Sequence, residues 1–307
     1  MLVIVGAGLA GTLVGLEAER RGQSFLIVDQ GAGATATRAA AGLFNPLTGP
    51  RFSADGPGWD TLVPFYRDLE QRLGTELVHP LPLVRPLAGA KIGPDAFPRS
   101  AAGWSAELCP SQTEVKIEGG GWVDLPRLVD VARARWLASG HLEPRTFDAA
   151  EGRGKRVIWC GGMADFEGPV WSSVPGVENR WQAVRGDVLT VRIDDFSLAY
   201  AEIGPRFLIP LGNHLFRWGA THESDIADQS FRADARTLLE TELAGRLNGG
   251  RFEVVGHSWG VRPASRYRSP LVLSHPDEPA WTLFNGFGGR GVAQIPRWLP
   301  ALFDRHP

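Results

Sequence analysis

Gly6-Ala7-Gly8-Leu9-Ala10-Gly11 sets three glycines at G-x-G-x-x-G spacing, and Asp29 stands at the end of the next apolar run. Each type suits one task in binding a diphosphate. Gly6 permits a tight turn, Gly8 lets backbone approach a pyrophosphate, and Gly11 lets a helix pack closely on a strand. The N–H groups at the helix start, and its partial positive charge, attract phosphate. An acid at 29 accepts hydrogen bonds from ribose hydroxyls and disfavours a 2′-phosphate, which favours FAD or NAD over NADP. Alone the spacing is a weak signal; its setting on strand, turn and helix carries the weight.

That setting is legible. Leu2-Val3-Ile4-Val5 reads as a fully buried strand. Leu9, Ala10, Leu13, Val14 and Leu16 then follow helical spacing, and Gly22 marks the stop. Phe25-Leu26-Ile27-Val28 is a second buried strand, which completes a right-handed βαβ unit. Gly31 to Ala41 reads as a loop of small residues. Leu62, Tyr66, Leu69 and Leu73 mark a helix, and residues 75–121 read as short strands and loops. Asp124 is an expected N-cap with Pro126 in the first turn, before a stripe of Leu125, Leu128, Val129, Ala132 and Trp136. Val157 to Cys160 is another buried strand, with Cys160 an inert thiol. Residues 186–221 read as an antiparallel meander. A helix with Phe231, Ala235, Leu238, Leu239 and Leu243 follows, then strands at 252–259, 271–274 and 281–285. Val292, Ile295, Leu299 and Leu302 have helical spacing, but Pro296 and Pro300 predict a kink or early break.

Composition excludes several classes. A net charge of −2 in 307 residues gives no general pull toward nucleic acid or anionic membrane. No run reaches the ~18 apolar residues of a membrane span. Met1 to Leu16 lacks the basic flank of a signal peptide, so a cytoplasmic location is expected. The seven histidines show no metal-ligand spacing, and CxxC, G-x-S-x-G and P-loop motifs are absent. The 11 tryptophans are expected mainly to fill the core.

Five segments together resemble the FAD-dependent amine and amino-acid oxidase family of D-amino-acid oxidase, glycine oxidase and sarcosine oxidase. They are the opening unit, Thr35 to Leu43, Val157 to Gly162, Gly260 to Ser265, and Gly286 to Val292. The last is also similar to a pattern in the oxidase domain of the bacterial tRNA methylaminomethyluridine-synthesising protein. The resemblance implies non-covalent FAD, because no Cys lies where sarcosine-oxidase relatives attach flavin. It places Thr37, Arg38, Ala41, Gly42 and Leu43 on the pyrophosphate and ring, and Gly161 and Gly162 in a later turn over the cofactor. Gly288, Gly289, Arg290, Gly291 and Val292 would present N–H groups to the flavin pyrimidine edge. Arg262 would pair with a substrate carboxylate, a task suited to a bidentate guanidinium. Two positions depart from the family. Phe207 stands where glycine oxidase has a substrate-touching Tyr, and Tyr267 replaces an Asp usual after the arginine.

The expected architecture is therefore α/β: a Rossmann-like FAD/NAD(P)-binding domain with an inserted, mainly antiparallel β substrate lobe. Residues 1–75, 115–185 and 256–307 would form the FAD-binding domain, and 76–114 and 186–255 the substrate lobe. The expected reaction oxidises a C–N bond of a small amine or amino acid by hydride transfer to flavin. Phe207 would line the substrate pocket. Two alternatives are a flavin enzyme modifying a tRNA-linked amine, which the charge disfavours, and a flavin-binding partner protein without turnover. The oligomeric state is left open.

Overall fold

The computed structural model describes residues 1–31, 36–54, 58–93, 96–177, 179–224, 232–267 and 269–304. Its first layer is a six-stranded sheet in the order Leu142–Glu143, Phe25–Val28, Leu2–Val5, Arg156–Trp159, Trp281–Asn285, Leu271–Ser274. Its strands run parallel except the last, which returns antiparallel. Their near-unbroken apolar runs are what a sheet covered on both faces requires. The opening helix, Leu9–Arg20, is buried along most of its length. It lies close to helix Leu125–Ser139, where a Cβ on Gly15 would stand 2.8 Å from the Trp136 ring.

A ten-stranded sheet forms the second layer. Its core is the meander Trp181–Arg192, Leu215–Gly219, Phe207–Gly212 and Ala201–Ile203. Strand Leu83–Pro86 joins this meander parallel to Ala201–Ile203 and carries the hairpins of residues 100–118 beyond it. Strand Glu253–Ser265 pairs along the whole of Trp181–Arg192. These two long strands cross the expected lobe boundaries at 186 and 256. Ala264 bridges to Phe287, so they tie the two layers together. One face of this sheet packs on helix Ala233–Arg246 through Leu189, Leu208, Trp218, Leu239 and Leu243. The other face looks toward the first layer.

Most expected elements are present, with four differences. Ala36–Ala39 form a short helix within the expected 31–41 loop, while Thr35 lies outside the described residues. Cys160 is buried just past its strand, and burial pushes its thiol pKa up. In helix Ala233–Arg246 the buried face is Ala235, Leu239 and Leu243; Leu238, one residue off that i, i+4 row, is 46% exposed. Phe231 lies outside the described residues. Helix Gly291–Asp304 runs through both prolines without breaking. Pro296 has no N–H for the Val292 carbonyl, but the buried Tyr66 hydroxyl donates to that oxygen at 2.9 Å. A lost helix bond is thereby replaced by one from another helix.

Candidate cofactor and substrate site

Gly6 sits at φ 95°, a left-handed geometry that glycine accepts without strain. Gly11 packs against it so closely that a Cβ would stand 1.8 Å from the Gly6 carbonyl oxygen. Gly11 thus sets the distance between helix and strand and does not line the cavity. Gly8 is the N-cap, with no side chain over the helix start.

The Asp29 carboxylate lies at this start. It accepts from the Ala7 N–H at 2.8 Å, the Gly31 N–H at 2.8 Å and Arg133 Nη1 at 2.5 Å. A carboxylate has about four acceptor positions, so one remains for a ligand hydroxyl. The Thr37 hydroxyl accepts from the Leu9 N–H at 3.0 Å, which leaves its own proton to donate. Arg38 points elsewhere: its guanidinium pairs with Asp130 of the Leu125–Ser139 helix, and it does not line the cavity.

These groups open onto a cavity of about 1040 Å³ between the two layers. That is at the upper end for a small-molecule site and accommodates an extended ligand. Three further turns reach it. Ala41, Gly42 and Leu43 follow the short helix, Gly161 and Gly162 follow strand Arg156–Trp159, and Gly288 to Val292 start the final helix. Among the described residues the buried indole Nε1 atoms of Trp159 and Trp171, on residues that line the same cavity, find no hydrogen-bond partner. Glycine-lined turns, two helix starts facing the cavity and the Thr37 hydroxyl are a cradle that fits an anionic dinucleotide.

Sequence reasoning missed Asp165 and Asn285. Asp165 accepts from the Gly161 N–H at 2.8 Å and from Asn285 Nδ2 at 2.8 Å, and Asn285 also donates to the Gly162 carbonyl at 2.9 Å. The pair locks the Gly161–Gly162 turn to the end of strand Trp281–Asn285. Burial pushes the Asp165 carboxyl up to about 7, against the lowering effect of its two donors. The available signal was an acid four residues after Gly161, beside a helix start.

At the other end of the cavity stands Arg262. On strand Trp181–Arg192 the alternate positions Gly186 and Val188 line the cavity, and Arg262 is paired with Val184, the next position of that alternation. Gly186 leaves the space its guanidinium fills. Among the described residues Arg262 makes no hydrogen bond or ion pair. Burial lowers its pKa, yet a guanidinium stays charged. Gly289 lies beside its Nη1. Phe207 lines the wall with Val188, Ile203 and Ala220. Tyr267, 62% exposed, does not reach the cavity. Neither does His222, whose pKa is lowered by burial and then by the Arg262 charge. Glu223 pairs with Arg232.

Fold and site define a dinucleotide-dependent oxidoreductase with a sheet-walled pocket. The sequence profile of the DAO family, described as FAD dependent oxidoreductase, matches residues 1–297, and the chain belongs to that family. Solved structures agree on the fold. Glycine oxidase from Geobacillus kaustophilus is similar at TM-score 0.76 and 18% identity, covering 100% of this chain and 95% of that one. Iminodiacetate oxidase from Chelativorans sp. BNC1 gives 0.73 and 19%, covering 98% and 94%. Glycine oxidase from Bacillus cereus gives 0.72 and 17%, covering 99% and 94%. No described helix is long and apolar enough to cross a membrane.

Proposed function

We propose that this FAD-dependent oxidoreductase oxidises the C–N bond of a small amino acid or related amine bearing a carboxylate. The observation that carries the reading is Arg262: a largely buried guanidinium on the cavity wall with no anion among the described residues to compensate it. A buried charge is costly unless paired, and a substrate carboxylate is the pairing a guanidinium fork fits best. The neighbours named for glycine and iminodiacetate oxidation support the choice of amine. We assign the dinucleotide to Gly6, Gly8, Leu9, Ala10, Asp29 and Thr37, with Ala41 to Leu43, Gly161, Gly162 and Gly288 to Val292 along its length.

When bound, FAD supplies the two-electron acceptor for hydride from the carbon beside nitrogen. The chain's part is positioning. Arg262 fixes the carboxylate and hence the adjacent carbon. Phe207, Val188 and Ile203 exclude water from that carbon. Hydride leaves the carbon only as the nitrogen lone pair forms the imine, so the amine must react neutral, and Phe207 offers no hydroxyl to take its proton. The imine so formed hydrolyses in water. In this reading residues 1–75, 115–185 and 256–307 serve the cofactor, except that Arg262 reaches across to the substrate, and 76–114 and 186–255 serve the substrate.

The test is anaerobic mixing of FAD-loaded protein with D- and L-amino acids and secondary amines. Bleaching of the flavin by a carboxylated amine is expected. Arg262→Met should raise KM about 100-fold or more, as loss of a charged hydrogen-bond pair implies. Failure of every amine to bleach the flavin would exclude the reaction.

A further inference from the structure

The large sheet carries a second cation on its cavity face. Strand register aligns Val188 with Gly219, Gly219 with Phe207, and Phe207 with Ile203. Glu202 pairs with Val84, so Arg85 occupies the next position of this row, beside Ile203. Val188, Phe207, Ile203 and Arg85 all line the cavity. The row thus runs from the strand under Arg262, across an apolar stretch, to a guanidinium.

Arg85 donates to the Leu47 carbonyl at 2.5 Å and the Gly49 carbonyl at 3.1 Å, and lies 4.0 Å from the centre of the Phe52 ring. No carboxylate among the described residues pairs with it. Of its five N–H donors two are spent, so three remain. Burial pushes its pKa down to about 10, a sign that the charge is poorly compensated. Two carbonyls tie down the Leu47–Thr48 hairpin; they do not neutralise a cation. Thr48 and Gly49 of that hairpin line the same cavity as Arg85, so its remaining donors stand at the cavity wall.

We propose that the pocket selects dianionic substrates: an amino acid whose stem crosses Val188, Phe207 and Ile203 and ends in a second carboxylate held by Arg85. This rests on the carboxylate role of Arg262 given above. Five strand spacings of about 4.8 Å separate strand Glu253–Ser265, which carries Arg262, from Leu83–Pro86. Reduced by the reach of two arginine side chains, that gap suits a stem of several carbons.

The experiment titrates FAD-loaded protein with straight-chain dicarboxylates of increasing length, the matching monocarboxylates, and the matching ω-ammonium carboxylates. Flavin absorbance and melting temperature are read. At the optimal length the dicarboxylate should bind about tenfold or more tighter than the monocarboxylate, as a charged hydrogen-bond pair implies. The ω-ammonium ligand should bind weakest. In Arg85→Met the dicarboxylate and monocarboxylate should bind equally. A wild-type protein indifferent to the far-end charge overturns the proposal, whether or not the variant folds. A preference that survives Arg85→Met in folded protein overturns the assignment to Arg85. Loss of all carboxylate binding in Arg262→Met alongside either result keeps the Arg262 reading; monocarboxylate binding unmoved by Arg262→Met sinks that reading instead.

Discussion

The Arg262 guanidinium occupies the space a side chain at position 186 would need: a Cβ on Gly186 would stand 2.2 Å from Arg262 Nη2. Gly186→Ala should therefore displace the guanidinium without touching the Gly6–Gly11 turn. Carboxylate affinity is expected to fall about tenfold, while overpacking costs about 1–3 kcal/mol of stability. Ligand titration and thermal melts of the FAD-loaded variant check both. Unchanged carboxylate affinity would show that the guanidinium's place is immaterial.

Tyr66 and Val292 are joined in a comparable way, across helices Leu62–Leu73 and Gly291–Asp304. Tyr66→Phe leaves the Val292 carbonyl buried and unpaired, at a cost of about 1–3 kcal/mol. Chemical denaturation should register that loss. Val292 lies in the turn assigned to the cofactor, so FAD affinity should fall as well.

Gly11→Ala tests the close approach at the opening turn. With a Cβ 1.8 Å from the Gly6 oxygen, helix and strand must separate. The variant should retain much less FAD on purification than wild type, measured as flavin released per protein. Full retention would contradict the role given to this turn.

Asp165 makes stability depend on pH with a defined sign. Its folded pKa of about 7 lies above the ordinary 3.8. Below about pH 4 folded and unfolded states both hold the proton, and the contribution is fully present. Between these values only the folded state keeps it, so stability falls as pH rises and the contribution is lost by about pH 7. Asp165→Asn keeps an acceptor for the Gly161 N–H and removes the titration. Its melting temperature should gain on wild type steadily from pH 4 to 7. Parallel curves would show that the carboxyl does not titrate there.

The site divides by the range of the interactions that build it. The Gly6–Gly11 turn and Asp29 were legible because strand, turn and helix follow each other directly in the chain; the Gly161–Gly162 and Gly288–Val292 turns were reached only through the family resemblance. Arg262 was legible by type and resemblance. That no described residue pairs with it became visible only with Gly186 and Gly289 folded around it. Arg38 sits among small residues that line the cavity, yet its charge finds Asp130 ninety-two positions away.

By itself the sequence determined the βαβ unit and its glycine turn, since apolar period and glycine placement act over a few residues. Tertiary structure alone decided that Arg85 shares a sheet row with Phe207. It also decided that Tyr66 repairs the helix at Pro296 and that Asp165 holds a proton near neutrality. Strand register, desolvation and hydrogen-bond pairing across hundreds of residues leave no local pattern to read.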